Sequence, residues 1–271
     1  MARTARLNCP GGVFHLVSRF ARDEWWLDAP GARDTYLDLL GRASSTTDTQ
    51  ILAYCLMSNH VHLVLVQGEA PLERFAKSLH TAFAAWAHRQ RPGAHARGPV
   101  YAARPRTLLV ERETHLLELV RYVHNNPVRA GVVRRARKSP WSSHQAYVGL
   151  VEPPAWLRSG YVLEHFGNDR KRIATELDVF VDTDRRAPRR PELSGGIGPR
   201  EAAAVRRGLG DGHRASDGIL GRDSFVARVR ADAERVHAAL SSRGSERRAG
   251  PVGRPSVREV IDAVAGICEL D

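Results

Sequence analysis

Two β-rich runs, Gln50 to Met57 and Val61 to Gln67, stand only three residues apart across Ser58-Asn59-His60. The stretches Ile51 to Met57 and Leu63 to Val66 are apolar throughout, strand-sized, and far short of the ~18 apolar residues that a membrane span needs. Two such runs joined so tightly read as a hairpin of central strands, and the rest of the chain must be arranged around it. At the head of the second strand lies His60-Val61-His62. Side chains at i and i+2 of a strand share a face, so the two imidazoles can share a divalent ion while Val61 packs behind.

The neighbouring segments extend the pattern. Residues 11–20 follow a Pro-Gly-Gly turn signal and read as a strand, and residues 31–43 read as a helix with Tyr36, Leu37, Leu39 and Leu40 as its apolar set. Residues 71–90 carry Leu72, Phe75, Leu79, Phe83 and Trp86 at helical spacing, with Pro71 suited to the first turn. Thr107 to Val110 is a short strand, and Glu113 to about Asn125 a helix ended by Pro127. The order β-α-β-β-α-β-α predicts an α+β, ferredoxin-like antiparallel sheet with helices on one face. Four parts are expected: residues 1–150 as the α+β domain, 151–183 as a helical extension, 184–222 as a Gly/Pro/Arg-rich linker with a short helix over 200–207, and 223–271 as a C-terminal helical region. The extension beyond 150 is thus expected to be all-helical. Its helices begin at Asp223 and at the capping box Ser256-Val257-Arg258-Glu259.

The chain of 271 residues carries 41 Lys+Arg against 30 Asp+Glu, a net charge of +11. The distribution says more than the total. Residues 1–150 hold a net +9 and residues 95–138 alone +7, with 10 basic residues against 3 acidic. A clustered basic surface points to a polyanionic partner. Only three of the basic residues are lysine, a bias that a GC-rich genome also produces. Cys9, Cys55 and Cys268 form no metal-type spacing and no disulfide framework, the N-terminus has no apolar signal core, and a cytoplasmic location without membrane contact is expected.

The second chemical cluster is Arg121-Tyr122-Val123-His124-Asn125-Asn126-Pro127. Tyr122 and Asn126 are four apart and so lie on one helical face. A tyrosine hydroxyl can act as a nucleophile, and an amide oxygen can ligate a metal. Read alone, Tyr122 is as well a half-buried helix tyrosine and Asn126 a C-cap. His124 falls off that face and reads as a backbone or surface residue. Trp25, Trp26 and Trp141 are assigned to packing.

Together, Pro10 to His15 with Ser18-Arg19, Ala53 to Val66, Leu108 to Val133 and Pro140-Trp141-Ser142-Ser143 resemble the REP-associated tyrosine transposases, single-tyrosine relatives of the HUH endonucleases. The resemblance covers about the first 150 residues in consistent order. Two departures stand out: Phe20 where a glycine is common, and Ala103-Arg104-Pro105-Arg106 in place of a usual Gly-Arg-Phe-Lys. The resemblance implies an HUH-type nuclease domain that cuts single-stranded or hairpin-forming repeat DNA in transposition. Tyr122 becomes the nucleophile and His60, His62 and Asn126 the ligands of Mg²⁺ or Mn²⁺. Arg19, Arg104, Arg106, Arg121 and Arg129 are expected at DNA phosphates and Tyr101 at an unpaired base. The last helices resemble a DnaA-type helix-turn-helix. A catalytically idle binder of structured nucleic acid is the alternative, although a pure binder need not keep His60, His62 and Tyr122 together. A zinc hydrolase lacks further ligands. Monomer and homodimer both stay open.

Overall fold

The computed structural model describes residues 7–90, 98–167, 169–183, 193, 213–216 and 218–246. The short helix predicted over 200–207, the capping-box helix from Ser256 and Cys268 lie outside these. Strands β1 (Val13–Arg19), β2 (Gln50–Leu56), β3 (His60–Val66) and β4 (Arg106–Val110) alternate with helices α1 (Ala32–Thr47), α2 (Leu72–Gln90) and α3 (Arg112–His124). The short helices α4 (Asn126–Arg129), α5 (His144–Tyr147) and α6 (Gly160–Leu163) follow, then α7 (Arg170–Thr183), β5 (His213–Ser216), β6 (Ile219–Arg222) and α8 (Asp223–Glu246). The six strands form one mixed sheet in the order β2-β3-β1-β4-β6-β5. The fold is α+β, a sheet flanked by helices, with a largely helical C-terminal extension.

Strand β1 lies at the centre of the first four, antiparallel to both β3 and β4, with Val17 facing His62 on one side and Arg106 on the other. Directly paired residues share a face, so the parity of β1 sorts the whole sheet. Leu16, Ser18 and Phe20 point to the α1–α2 layer: Ser18 Oγ is 2.8 Å from His80 Nε2 of α2, and Phe20 packs on Phe83. His15 points the other way, to Tyr122 of α3. The expectation of helices on one face is therefore corrected. It holds for α1 and α2, but α3 covers the opposite face. Strands covered on both sides have no polar side to show, which is why β2 and β3 read as unbroken apolar runs. In β3 every residue after His60 is buried.

A second correction concerns the extension, which is not all-helical. Within the segment read as a linker, β5 and β6 form a hairpin, and β6 lies parallel to β4. The junction is held by backbone bonds from Leu109 to Gly218 (2.7 Å) and from Glu111 to Leu220 (2.8 Å). Gly218 sits at φ +85, where an L side chain is strained, and a Cβ added there would stand 3.3 Å from the Thr107 carbonyl oxygen. Glu111, buried, accepts from the Arg222 backbone N–H (2.7 Å) and from Arg222 Nε (2.8 Å). Val226 and Val229 then seat α8 on the core. Trp26 is buried as expected, whereas Trp25 is corrected: it is 66% exposed and packs no core. Among the described residues, no helix is long and apolar enough to cross a membrane.

Candidate active site

The turn Ser58-Asn59 delivers His60 at the first position of β3 and His62 two residues on. Their rings lie edge-to-face, 4.9 Å between centroids. Each ring is oriented through Nδ1. Asn59 Oδ1 lies 2.7 Å from His60 Nδ1, and since the amide oxygen can only accept, His60 carries its proton on Nδ1 and presents a bare Nε2. His62 Nδ1 is 2.9 Å from His15 Nε2. Burial, reinforced by Arg19 and partly offset by Asp23, pushes His60 down to about 4. Burial and then the neighbouring His15 and His60 hold His62 well below 6.5. Both imidazoles are thus neutral at pH 7, the form that binds a metal.

Tyr122 reaches the same place from α3. Its ring stands edge-on to His62 at 5.9 Å and to His15 at 6.0 Å. The guanidinium of Arg129 lies 4.6 Å above the Tyr122 ring, and Arg129 Nη1 donates to the Tyr122 carbonyl at 2.9 Å. One arginine therefore clamps both the backbone and the ring of this residue. Asn126, first residue of α4, donates its amide nitrogen to the Tyr122 carbonyl at 3.0 Å. That role caps the end of α3, and it leaves Oδ1 as the atom able to coordinate.

The end of α3 is anchored by a buried chain that the sequence did not reveal. His124, read as a surface residue, is fully buried. Its Nε2 is 2.9 Å from Ser143 Oγ, its Nδ1 3.2 Å from His144 Nδ1, and His144 Nε2 is 2.9 Å from Asp178 of α7. Asp178 accepts, so the protons run one way: Ser143 donates to His124, His124 to His144, and His144 to Asp178. Ser143 Oγ in turn accepts the Tyr54 N–H of β2 at 3.0 Å. The helix that carries Tyr122 is thereby fixed between sheet and α7. Ser143→Ala should leave His124 Nε2 and the Tyr54 N–H buried and unpaired, at a cost of about 2 kcal/mol read from urea melts.

The predicted DNA contacts separate into two groups. Arg19 pairs across the strands with His60, and Arg106 shares the Val17 row with His62, so both lie on the Tyr122 face. Arg129 joins them, and Arg104 is exposed in the preceding loop. Arg121 goes elsewhere, stacking 4.5 Å over Phe180 and pairing with Glu118. Tyr101 lies beyond the opposite face, its ring stacked on His80 at 3.8 Å. The structure does not bring these two to the histidines. The residue that sequence reasoning missed is His15. It stands inside a quoted motif, but its place beside His62 follows only from strand pairing.

Among the described residues, no three His, Cys, Asp or Glu side chains cluster as a metal site. Two imidazoles and an amide oxygen are nevertheless donors of a kind that suits a hard or borderline divalent ion whose remaining positions go to water and phosphate.

Solved structures resemble this fold at a distance. One is of a REP-associated tyrosine transposase bound to a REP hairpin, 16% identical, with a TM-score of 0.47 over 57% of this chain and 89% of that one. Another is of a protein from Deinococcus radiodurans R1 described as a transposase, 20% identical, TM-score 0.33, over 46% of this chain and 97% of that one. The likeness is distant. No family model matches the sequence, and no curated protein matches it.

Proposed function

We propose that the chain is a metal-dependent endonuclease and strand transferase for single-stranded, hairpin-forming DNA, acting through a 5′-phosphotyrosine on Tyr122. The observation that carries this reading is the packing of the Tyr122 ring against His62, beside two neutral imidazoles oriented through Nδ1. His60 and His62 with Asn126 Oδ1 would hold a divalent ion, Mn²⁺ or Mg²⁺, which would supply polarisation of a phosphoryl oxygen and neutralise developing charge. Tyr122 Oη gives up its proton to solvent and attacks phosphorus, the Tyr122 O–P bond forms, the P–O3′ bond breaks, and the leaving oxygen takes up a proton from solvent as a 3′-hydroxyl. A phenol is more acidic than an aliphatic hydroxyl, so it is a better nucleophile and a better later leaving group than serine. The phosphotyrosine keeps the bond energy, so the strand can be rejoined. Arg129 holds the ring in place, while Arg19 and Arg106 lie on the same face to receive the phosphate backbone.

Single-stranded hairpin oligonucleotides incubated with the protein and Mn²⁺ should yield a covalent adduct on a denaturing gel. Tight binding without an adduct, across hairpins from the DNA that flanks the coding sequence, would instead establish the idle binder. Binding itself should weaken by roughly 0.7 log units per decade of salt for each phosphate contacted. A flat response would remove the basic face from the account.

A further inference from the structure

We propose that His15 is the positioning residue of the site, holding His62 in the one tautomer that can accept a metal. The assignment rests on the metal-dependent reading above for its purpose, but on separate geometry for its evidence. His15 and His62 stand on adjacent antiparallel strands, on one face, and both are buried. Their rings stack at 5.1 Å, 16° from parallel, and His15 Nε2 meets His62 Nδ1 at 2.9 Å.

An imidazole–imidazole hydrogen bond needs one donor and one acceptor, so only two proton arrangements exist. If His15 donates, His62 carries its own proton on Nε2 and has no lone pair for an ion. If His62 donates from Nδ1, its Nε2 is bare and His15 carries its proton on Nδ1. The second arrangement matches that of His60, whose Nδ1–H is fixed by Asn59. Asn59 and His15 thus do the same job for two neighbouring histidines: each takes the Nδ1 proton and turns a bare Nε2 outward. Partners of this kind fix ring orientation and basicity in metal sites, and their loss typically costs 10–100-fold in metal affinity. His15 also stands edge-on to Tyr122, so one ring sets the positions of both the ligand and the nucleophile.

Two measurements test this. In the metal-free protein, long-range ¹H–¹⁵N correlations should show His62 protonated on Nδ1, its signals assigned by their loss in His62→Gln. A proton on Nε2 would overturn the assignment. In Mn²⁺ titrations followed by the electron paramagnetic resonance of free Mn²⁺, His15→Phe keeps the ring stack but lacks the acceptor. It should bind roughly 10–100-fold more weakly. His15→Gln, whose amide oxygen can accept from His62, should recover part of that loss. A folded His15→Phe protein with unchanged Mn²⁺ affinity would refute the role. Should His15→Phe fail to fold, the tautomer and the His15→Gln titration decide. A wild-type protein that holds the Nδ1–H tautomer yet takes up no Mn²⁺ would count against the metal-dependent reading and leave the tautomer assignment standing.

Discussion

A Tyr122→Phe protein is expected to fold, to bind hairpin DNA and Mn²⁺ as the wild type does, and to form no covalent adduct. The substitution removes one oxygen atom and keeps the ring. The ring makes the edge contacts to His15 and His62 and lies under Arg129, and the hydrogen bonds of Arg129 and Asn126 go to the Tyr122 carbonyl. None of these needs the hydroxyl, so the ring should keep its place in the variant. The adduct should fall below detection, a drop of at least about 10³-fold, because the proposed covalent bond forms on the oxygen that this substitution removes. An adduct that persists in this variant would show that a different nucleophile acts. Loss of DNA binding along with the adduct would mean that the phenol belongs to recognition rather than to chemistry.

Much of the frame was legible because its signals are local. The apolar periodicity of Leu72, Phe75, Leu79 and Phe83 marks a buried helix face, and all four are buried in α2. The hairpin of β2 and β3 follows from two apolar runs and a three-residue spacer. What sequence did not show depends on pairing between distant segments. The two-faced covering of the sheet was misjudged because an unbroken apolar strand is compatible with several layer arrangements. Only the parity of β1, with Ser18 facing α2 and His15 facing α3, decides it. The β5–β6 hairpin reads as linker because its strands are short and lie in a glycine- and proline-rich segment, and β6 gains its place by pairing with β4. In the site, His60, His62, Tyr122 and Asn126 could be singled out from spacing within one element. His15, His124 and His144 could not, since each is defined by partners 19 or more residues away. Arg121 and Tyr101 show the reverse failure: position beside a motif says nothing of the direction in which a side chain leaves the backbone.

Acid should unfold the metal-free protein at far milder pH than its carboxylates alone would require. His15 and His60 are pushed down to about 4, chiefly by burial, and burial holds His62 and His124 well below their ordinary value. In the unfolded chain each returns to about 6.5. The folded values lie below the unfolded ones, so between them the unfolded state binds more protons. The stability from these neutral rings is complete above pH 6.5 and is lost as pH falls toward the folded values. Each contributes a slope of at most about 1.4 kcal/mol per pH unit, less for the partly exposed His60. The carboxyl of Asp178, held low first by its hydrogen bond from His144, adds a separate loss only below its unfolded value near 3.8. Urea midpoints in the presence of a chelator should therefore drop steeply between pH 6.5 and 5, before any carboxylate titrates. A flat midpoint over that range would show that the histidines charge without cost and are not sealed as the fold implies. Mn²⁺ should move the drop to lower pH, because proton and ion compete for the same Nε2 atoms of His60 and His62. Buried neutral histidines are a liability in acid, and the same neutrality is what the proposed metal role of His60 and His62 requires at pH 7.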